Sequence, residues 1–180
     1  MQRPRDFFID QLKNLVPTLS SAQCDYYAEA CIIALENQKH SSNVELRVIG
    51  DFGDCFVLKW TTTPNKRGWT EPRIIAENGG IAIAFLLIIE MTDFQVIQQS
   101  IIGTGFDYWL GYKENHPNYD PDNFLNARLE ISGINKGSRG ELNRRVKQKL
   151  QQVGVTDYLQ IPAYIIVTEF SNPISKIIKK

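Results

Sequence analysis

Two carboxylates in one stretch of this chain are spaced to do chemistry together. Residues 102–133 read IGTGFDYWLG, then a polar loop, then ARLEISG. Both ends alternate like β-strands, with Asp107 in the first and Glu130 in the second. In the first strand Phe106, Tyr108 and Leu110 share one face, while Gly105, Asp107, Trp109 and Gly111 share the other. In the second, Leu129 and Ile131 form the apolar face and Arg128, Glu130 and Ser132 the polar one. If both apolar faces point into one core, Asp107 and Glu130 lie on the same side of the sheet. The intervening KENHPNYDPDN is rich in turn formers. Asn118 and Tyr119 lie midway between the two acids, so a symmetric antiparallel pairing sets them side by side. Two adjacent carboxylates can hold a hard divalent cation through oxygen. Such an ion can activate water and stabilise a phosphoryl transition state. The simpler reading is a solvated face on which Arg128 neutralises one of the acids.

The elements that must position this pair follow from size and pattern. The chain has 180 residues, 43% hydrophobic and 22% charged, with no formal net charge. That suits one globular domain, residues 1–180, and gives no global field toward nucleic acid or membrane. Cys24, Cys31 and Cys55 show no CxxC spacing, as expected for reduced thiols in a cytoplasmic protein. His40 and His116 lack zinc-ligand spacing. The beginning, MQRPRDFF, has no apolar signal region. The longest apolar run, residues 81–89, is too short for a membrane span of roughly 20 residues, so no membrane partner is expected.

Residues 5–16 suggest a short helix ended by Pro17. Ser20 and Gln23 form a capping box that opens a second helix to about residue 38. Its Tyr27, Cys31, Ala34 and Leu35 recur at helical spacing. These N-terminal helices read as a cover or as a surface for a protein partner. NVELRVIG and DCFVLKW form a hairpin whose Asp51 and Asp54 read as turn residues. The loop carrying Lys66, Arg67 and Trp69 reads as surface. After Pro72, residues 73–91 read as a buried helix, within which Gly79 and Gly80 can allow close packing. Residues 94–100 are a strand. Ser138 and Glu141 cap a helix to about residue 153, with Leu142, Val146 and Leu150 as its buried stripe and Gly154 as its stop. Residues 163–170 form a strand buried on both faces, and the tail with Lys176, Lys179 and Lys180 is expected to fray.

Residues 136–149 hold six cations, Lys136, Arg139, Arg144, Arg145, Lys147 and Lys149, against Glu141 alone. A basic helix beside a carboxylate pair can grip a polyanion. Arg144, Arg145 and Lys149 are expected on its exposed side. An ordinary solvated helix face is the competing reading.

From residue 73 onward the order is helix, strand, strand with Asp107, strand with Glu130, helix, strand. This resembles the αβββαβ core of the PD-(D/E)XK, or restriction-endonuclease-like, nuclease superfamily. The resemblance covers residues 73–170. It implies an α/β fold: a mixed central sheet flanked by helices, with the N-terminal helices and hairpin of residues 1–70 added to a core of residues 71–171. It implies Mg²⁺ or Mn²⁺ bound by Asp107 in GFDYWLG and Glu130 in LEISG, with Glu77 as a possible third ligand. It also implies hydrolysis of DNA or RNA. Ser132 stands where the family has a lysine. Lys147 or Lys149 can supply that ammonium from the following helix; Lys113, six residues along the strand from Asp107, is about 20 Å away at the usual rise. Arg144, Arg145, Lys136 and Arg139 are then the nucleic-acid contacts. Without the motif lysine, the same fold also suits a non-catalytic module that binds a protein or nucleic acid, such as a subunit of a defence or toxin system.

Overall fold

The computed structural model describes residues 4–180, so the reading of residues 1–3 lies outside it. The first described elements are strand β1 (Arg5–Phe8), a 3-10 turn (Ile9–Gln11) and the short helix α1 (Leu12–Leu15). The expected helix over 5–16 therefore survives only as the 3-10 turn and α1 of residues 9–15, and its first turn, residues 5–8, is a strand instead. The reason is long-range: β1 pairs parallel with residues 56–59, and Phe7 stacks on Phe56 at 4.1 Å. Helix α2 (Ser21–Asn37) starts where expected, with the Ser20 hydroxyl accepting from the Gln23 amide. Strands β2 (Val44–Gly50) and β3 (Asp54–Lys59) form the antiparallel hairpin. Then come α3 (Pro72–Met91), β4 (Phe94–Gln99), β5 (Tyr108–Tyr112), β6 (Ala127–Ile134), α4 (Arg139–Val153), β7 (Ala163–Glu169) and β8 (Ile174–Lys179).

These strands make one mixed eight-stranded sheet in the order β1-β3-β2-β8-β7-β6-β5-β4. The tail expected to fray is β8, paired with β2 on one side and β7 on the other. Its apolar Ile174 and Ile177 are buried, and this is what ties down the lysines between and after them. Through β8 the N-terminal hairpin is continuous with the rest of the sheet and is no appendage.

Successive residues of β6 and β7 face two different cores. Leu129, Ile131, Tyr164 and Ile166 point to the side of α3, while Ala163, Ile165 and Val167 meet Leu142, Val146 and Val153 of α4. Helix α3 is long and apolar enough to cross a membrane by composition, with a mean hydropathy of 1.9. Here it is mostly buried against the sheet and α2. Its two glycines serve different neighbours. A methyl group on Gly79 would meet the Cys31 backbone of α2, and one on Gly80 the Gly133 backbone of β6, each near 3 Å. The contact is tightest from the strand side, where a Cβ on Gly133 would lie 1.7 Å from the Ala76 carbonyl oxygen. Helix α2 is largely engaged in this packing, leaving an outer face with Tyr26 as the exposed aromatic near Trp69.

Candidate functional site

Strand β5 accompanies β6 only briefly. Tyr108, Trp109 and Leu110 pair with Leu129, Arg128 and Ala127. One step before Tyr108 the strands part, because the chain turns through residues 100–107. Asp107 sits at this fork, in the turn and not within the strand as expected. Its amide still donates to the Leu129 carbonyl at 2.9 Å, and its Oδ2 accepts the Ile131 N–H at 2.8 Å. A side chain thus takes the place that a backbone carbonyl would hold in a continued ladder. The turn also ends the alternation: Phe106, expected to share a face with Tyr108 and Leu110, packs on the α4 side against Trp109.

The symmetric register places Asp107 beside Glu130, near enough for the charge of Asp107 to raise the Glu130 carboxyl. The expected common face is therefore present, but it is not solvated. Arg128, Glu130 and Ser132 are all buried beneath α4. Arg128 neutralises neither acid. It donates to the Val153 and Ile161 carbonyls and to Thr156, and so anchors the end of α4 and the 3-10 segment Gly154–Leu159.

Two cations descend from α4 onto this face. The Lys149 ammonium donates to Glu130 Oε1, and Arg145 Nη1 donates to the Ser132 hydroxyl at 2.8 Å. They lie one helical turn apart, bordering the stripe of Leu142, Val146 and partly buried Leu150. The expected exposure of Arg145 and Lys149 is corrected here: both turn toward the sheet, while Arg144 is exposed and lies 3.7 Å from Glu141. Lys147 is exposed as well. It is two residues from Lys149, about 200° around the helix, so only Lys149 can reach the acids. Lys136 and Arg139 are exposed at the opposite end of α4 and line no part of the cleft.

The cleft itself has a volume of about 690 Å³. Arg73, Glu77 and Asn78 of α3 form one wall; Arg145, Gln148, Lys149 and Gln152 of α4 form the other; Asp107 and Gln99 close one end. Glu77 reaches the cleft and its charge is felt at Asp107, but its Oε1 accepts from Arg73 Nε at 2.9 Å. It does not converge on the acid pair. Among the described residues no group of three metal-ligating side chains gathers at one point.

Electrostatics single out the pair. Burial raises the Asp107 carboxyl above the usual range, against the opposing pull of the Ile131 N–H and Lys149. Burial, and then the Asp107 charge, push Glu130 up to about 8, although Lys149 works in the other direction. The second oxygen of Glu130, Oε2, is buried and has no hydrogen-bond partner among the described residues. Arg128 Nε is unpartnered in the same way; a buried polar atom without a partner is expensive, and a water or an ion is one way to satisfy it.

Sequence reasoning did not find Arg145 as a cleft residue, nor the glutamines of the rim. The signal was available: Arg145 and Lys149 sit four apart, immediately beside the apolar stripe. Comparison with family profiles, curated proteins and solved structures gives no match to this chain.

Proposed function

We propose that this chain is a divalent-metal-dependent phosphodiesterase of the PD-(D/E)XK type, acting on DNA or RNA. The observation that carries the reading is the adjoining Asp107–Glu130 pair at the fork of β5 and β6, with Glu130 Oε2 buried and unpartnered. The order α3-β4-β5-β6-α4-β7, with α3 and α4 on opposite faces, supports it further.

The donor set suits Mg²⁺ or Mn²⁺. Such ions commonly take one or two carboxylates and complete their shell with water and substrate phosphate. Asp107 and Glu130 would hold the ion, with Glu77 facing it from across the cleft. When bound, the ion supplies charge stabilisation at phosphorus and a more acidic water. The chain's own side chains do the rest. Lys149 offsets the buried negative charge, and its ammonium can turn from Glu130 toward the cleft once a cation shares that charge. Arg145 lines the cleft and is braced on Ser132, the residue that stands where the family has its lysine. A guanidinium suits a phosphate through paired hydrogen bonds. Arg144, Lys147, Lys136 and Arg139 would add only long-range attraction for a polyanion.

The binding-module reading keeps one specific support, the serine at position 132. The two readings separate in one set of assays. Purified protein is incubated with single- and double-stranded DNA and RNA in Mg²⁺ or Mn²⁺, with EDTA and Glu130→Ala as controls. Metal-dependent cleavage that disappears in both controls is expected. Nucleic-acid binding with no cleavage of any substrate would favour the module.

A further inference from the structure

The geometry points to a role for the turn at residues 100–105 as an apolar wedge that opens a base step of double-stranded nucleic acid beside the cleft. This rests on the proposed phosphodiesterase reading and specifies its substrate: a duplex, unstacked next to the cleavage point.

Ile101 is 78% exposed and Ile102 fully exposed, although both are large aliphatics. No described residue covers them, yet the turn that presents them is firmly built. The Ser100 amide donates to the Asp107 carbonyl at 2.8 Å, closing the turn directly onto the acid of the site. Inside it, the Ser100 hydroxyl donates to the Phe106 carbonyl and lies 2.8 Å from the Thr104 hydroxyl, which reaches the Ile101 carbonyl at 3.0 Å. Gly103 and Gly105 adopt φ of +98° and +78°, conformations that favour glycine. A Cβ on Gly105 would lie 2.4 Å from the Gln152 carbonyl oxygen and 2.6 Å from Val155 Cγ2. The turn is therefore pressed against the end of α4, beside Val155, itself 61% exposed.

Position gives this tip its occupant. The hollow at its base, about 220 Å³, shares Gln99, Asp107 and Gln152 with the main cleft. Because the two hollows share Asp107, a duplex whose phosphate backbone lay at Asp107 would pass its neighbouring bases along this rim. Isolated aliphatic side chains are the type that enters between stacked bases and kinks a duplex. Surfaces that hold single strands use aromatic platforms instead; Phe106, next to the turn, is buried and meets Trp109 edge to face, so it offers no such platform. Held in advance, the tip loses little conformational freedom when it inserts.

The test uses duplex oligonucleotides carrying 2-aminopurine, whose fluorescence rises when it unstacks, with Ca²⁺ replacing Mg²⁺ to prevent cleavage. Wild-type protein should raise the signal several-fold. Ile101→Ser/Ile102→Ser should abolish the rise and slow duplex cleavage in Mg²⁺ at least about tenfold. Its Mn²⁺ binding should be unchanged, because the tip touches no ligand. A mismatch, already partly unstacked, should restore much of the variant's rate, which general misfolding would not permit. Duplex binding or cleavage with an unmoved 2-aminopurine signal would overturn the wedge and leave the phosphodiesterase reading in place. A self-association abolished by the same double substitution, with that signal unmoved, would reassign the tip to protein contact. Failure to bind Mn²⁺ or any nucleic acid would remove the phosphodiesterase reading and the wedge with it.

Discussion

The two faces of β6 are built from alternate residues of one strand, yet they are organised by opposite means. On the α3 side, Leu129 and Ile131 join a continuous apolar core that includes Ile83, Phe85 and Leu87. Removing apolar surface from water stabilises that face, and identity matters mainly through volume. On the α4 side, Arg128, Glu130 and Ser132 are just as buried, and each is answered by a polar group from α4 or the segment after it. Such networks add little stability compared with well-packed hydrophobes, and they are costly when left half satisfied. The α4 face gives up part of that stability to keep charge in place beside a cleft.

Substitutions can break this comparison. The largest thermodynamic effect should come from the apolar face: Phe85→Ala should cost about 3–5 kcal/mol of folding stability, seen as a lower denaturation midpoint. A comparable loss from Glu130→Ala would mean the polar face is equally a stability device. For Glu130→Ala we expect a folded protein, since removing one of two adjoining carboxylates relieves repulsion. On the proposed phosphodiesterase reading, its metal-dependent cleavage should fall roughly a hundredfold or more, the scale of losing a main electrostatic group. Next in size is Lys149→Met, expected to reduce cleavage roughly tenfold, a general charge-stabilising contribution. Lys147→Met, on the outer side of the helix, should leave turnover nearly unchanged at moderate salt. Equal effects from the two lysines would contradict the orientation of α4.

The smallest and most diagnostic effect is on pH. Glu130 holds its proton up to about 8 in the folded state against an ordinary 4.5. Between those values the folded protein binds more protons than the unfolded chain, so this group makes stability fall as pH rises. Asp107, also raised, acts in the same direction. Unfolding at pH 5.5 and at pH 8 should show this slope, reduced in Glu130→Gln. On the proposed reading, divalent-ion binding would displace the same proton, so affinity should climb across the same window. A Mn²⁺ affinity independent of pH would show that Glu130 is not a ligand.

What was legible in the sequence was whatever local pattern decides. Alternation put Asp107 and Glu130 on one face, and serine caps placed the starts of α2 and α4. What was not legible depends on distant partners. Residues 5–8 become a strand because β3 offers an edge, and the lysine-rich tail becomes β8 because β2 and β7 leave a gap between them. The burial of Glu130 could not be read either: a polar face looks solvated until a helix is known to cover it. Phe106 changed sides because the chain turns one residue before the strand begins.

The close contact at Gly133 has a consequence for dimensions. With a carbonyl oxygen of Ala76 lying where a methyl group would stand, the helix rests on the strand at backbone distance. Glu77 follows Ala76 directly, and Arg73 is one turn earlier on the same helix. A single hydrogen atom on Gly133 therefore sets the gap between the jaws of the cleft. Alanine there would wedge α3 outward and carry both residues away from Asp107. The bore of the site is gauged by an atom that touches no substrate.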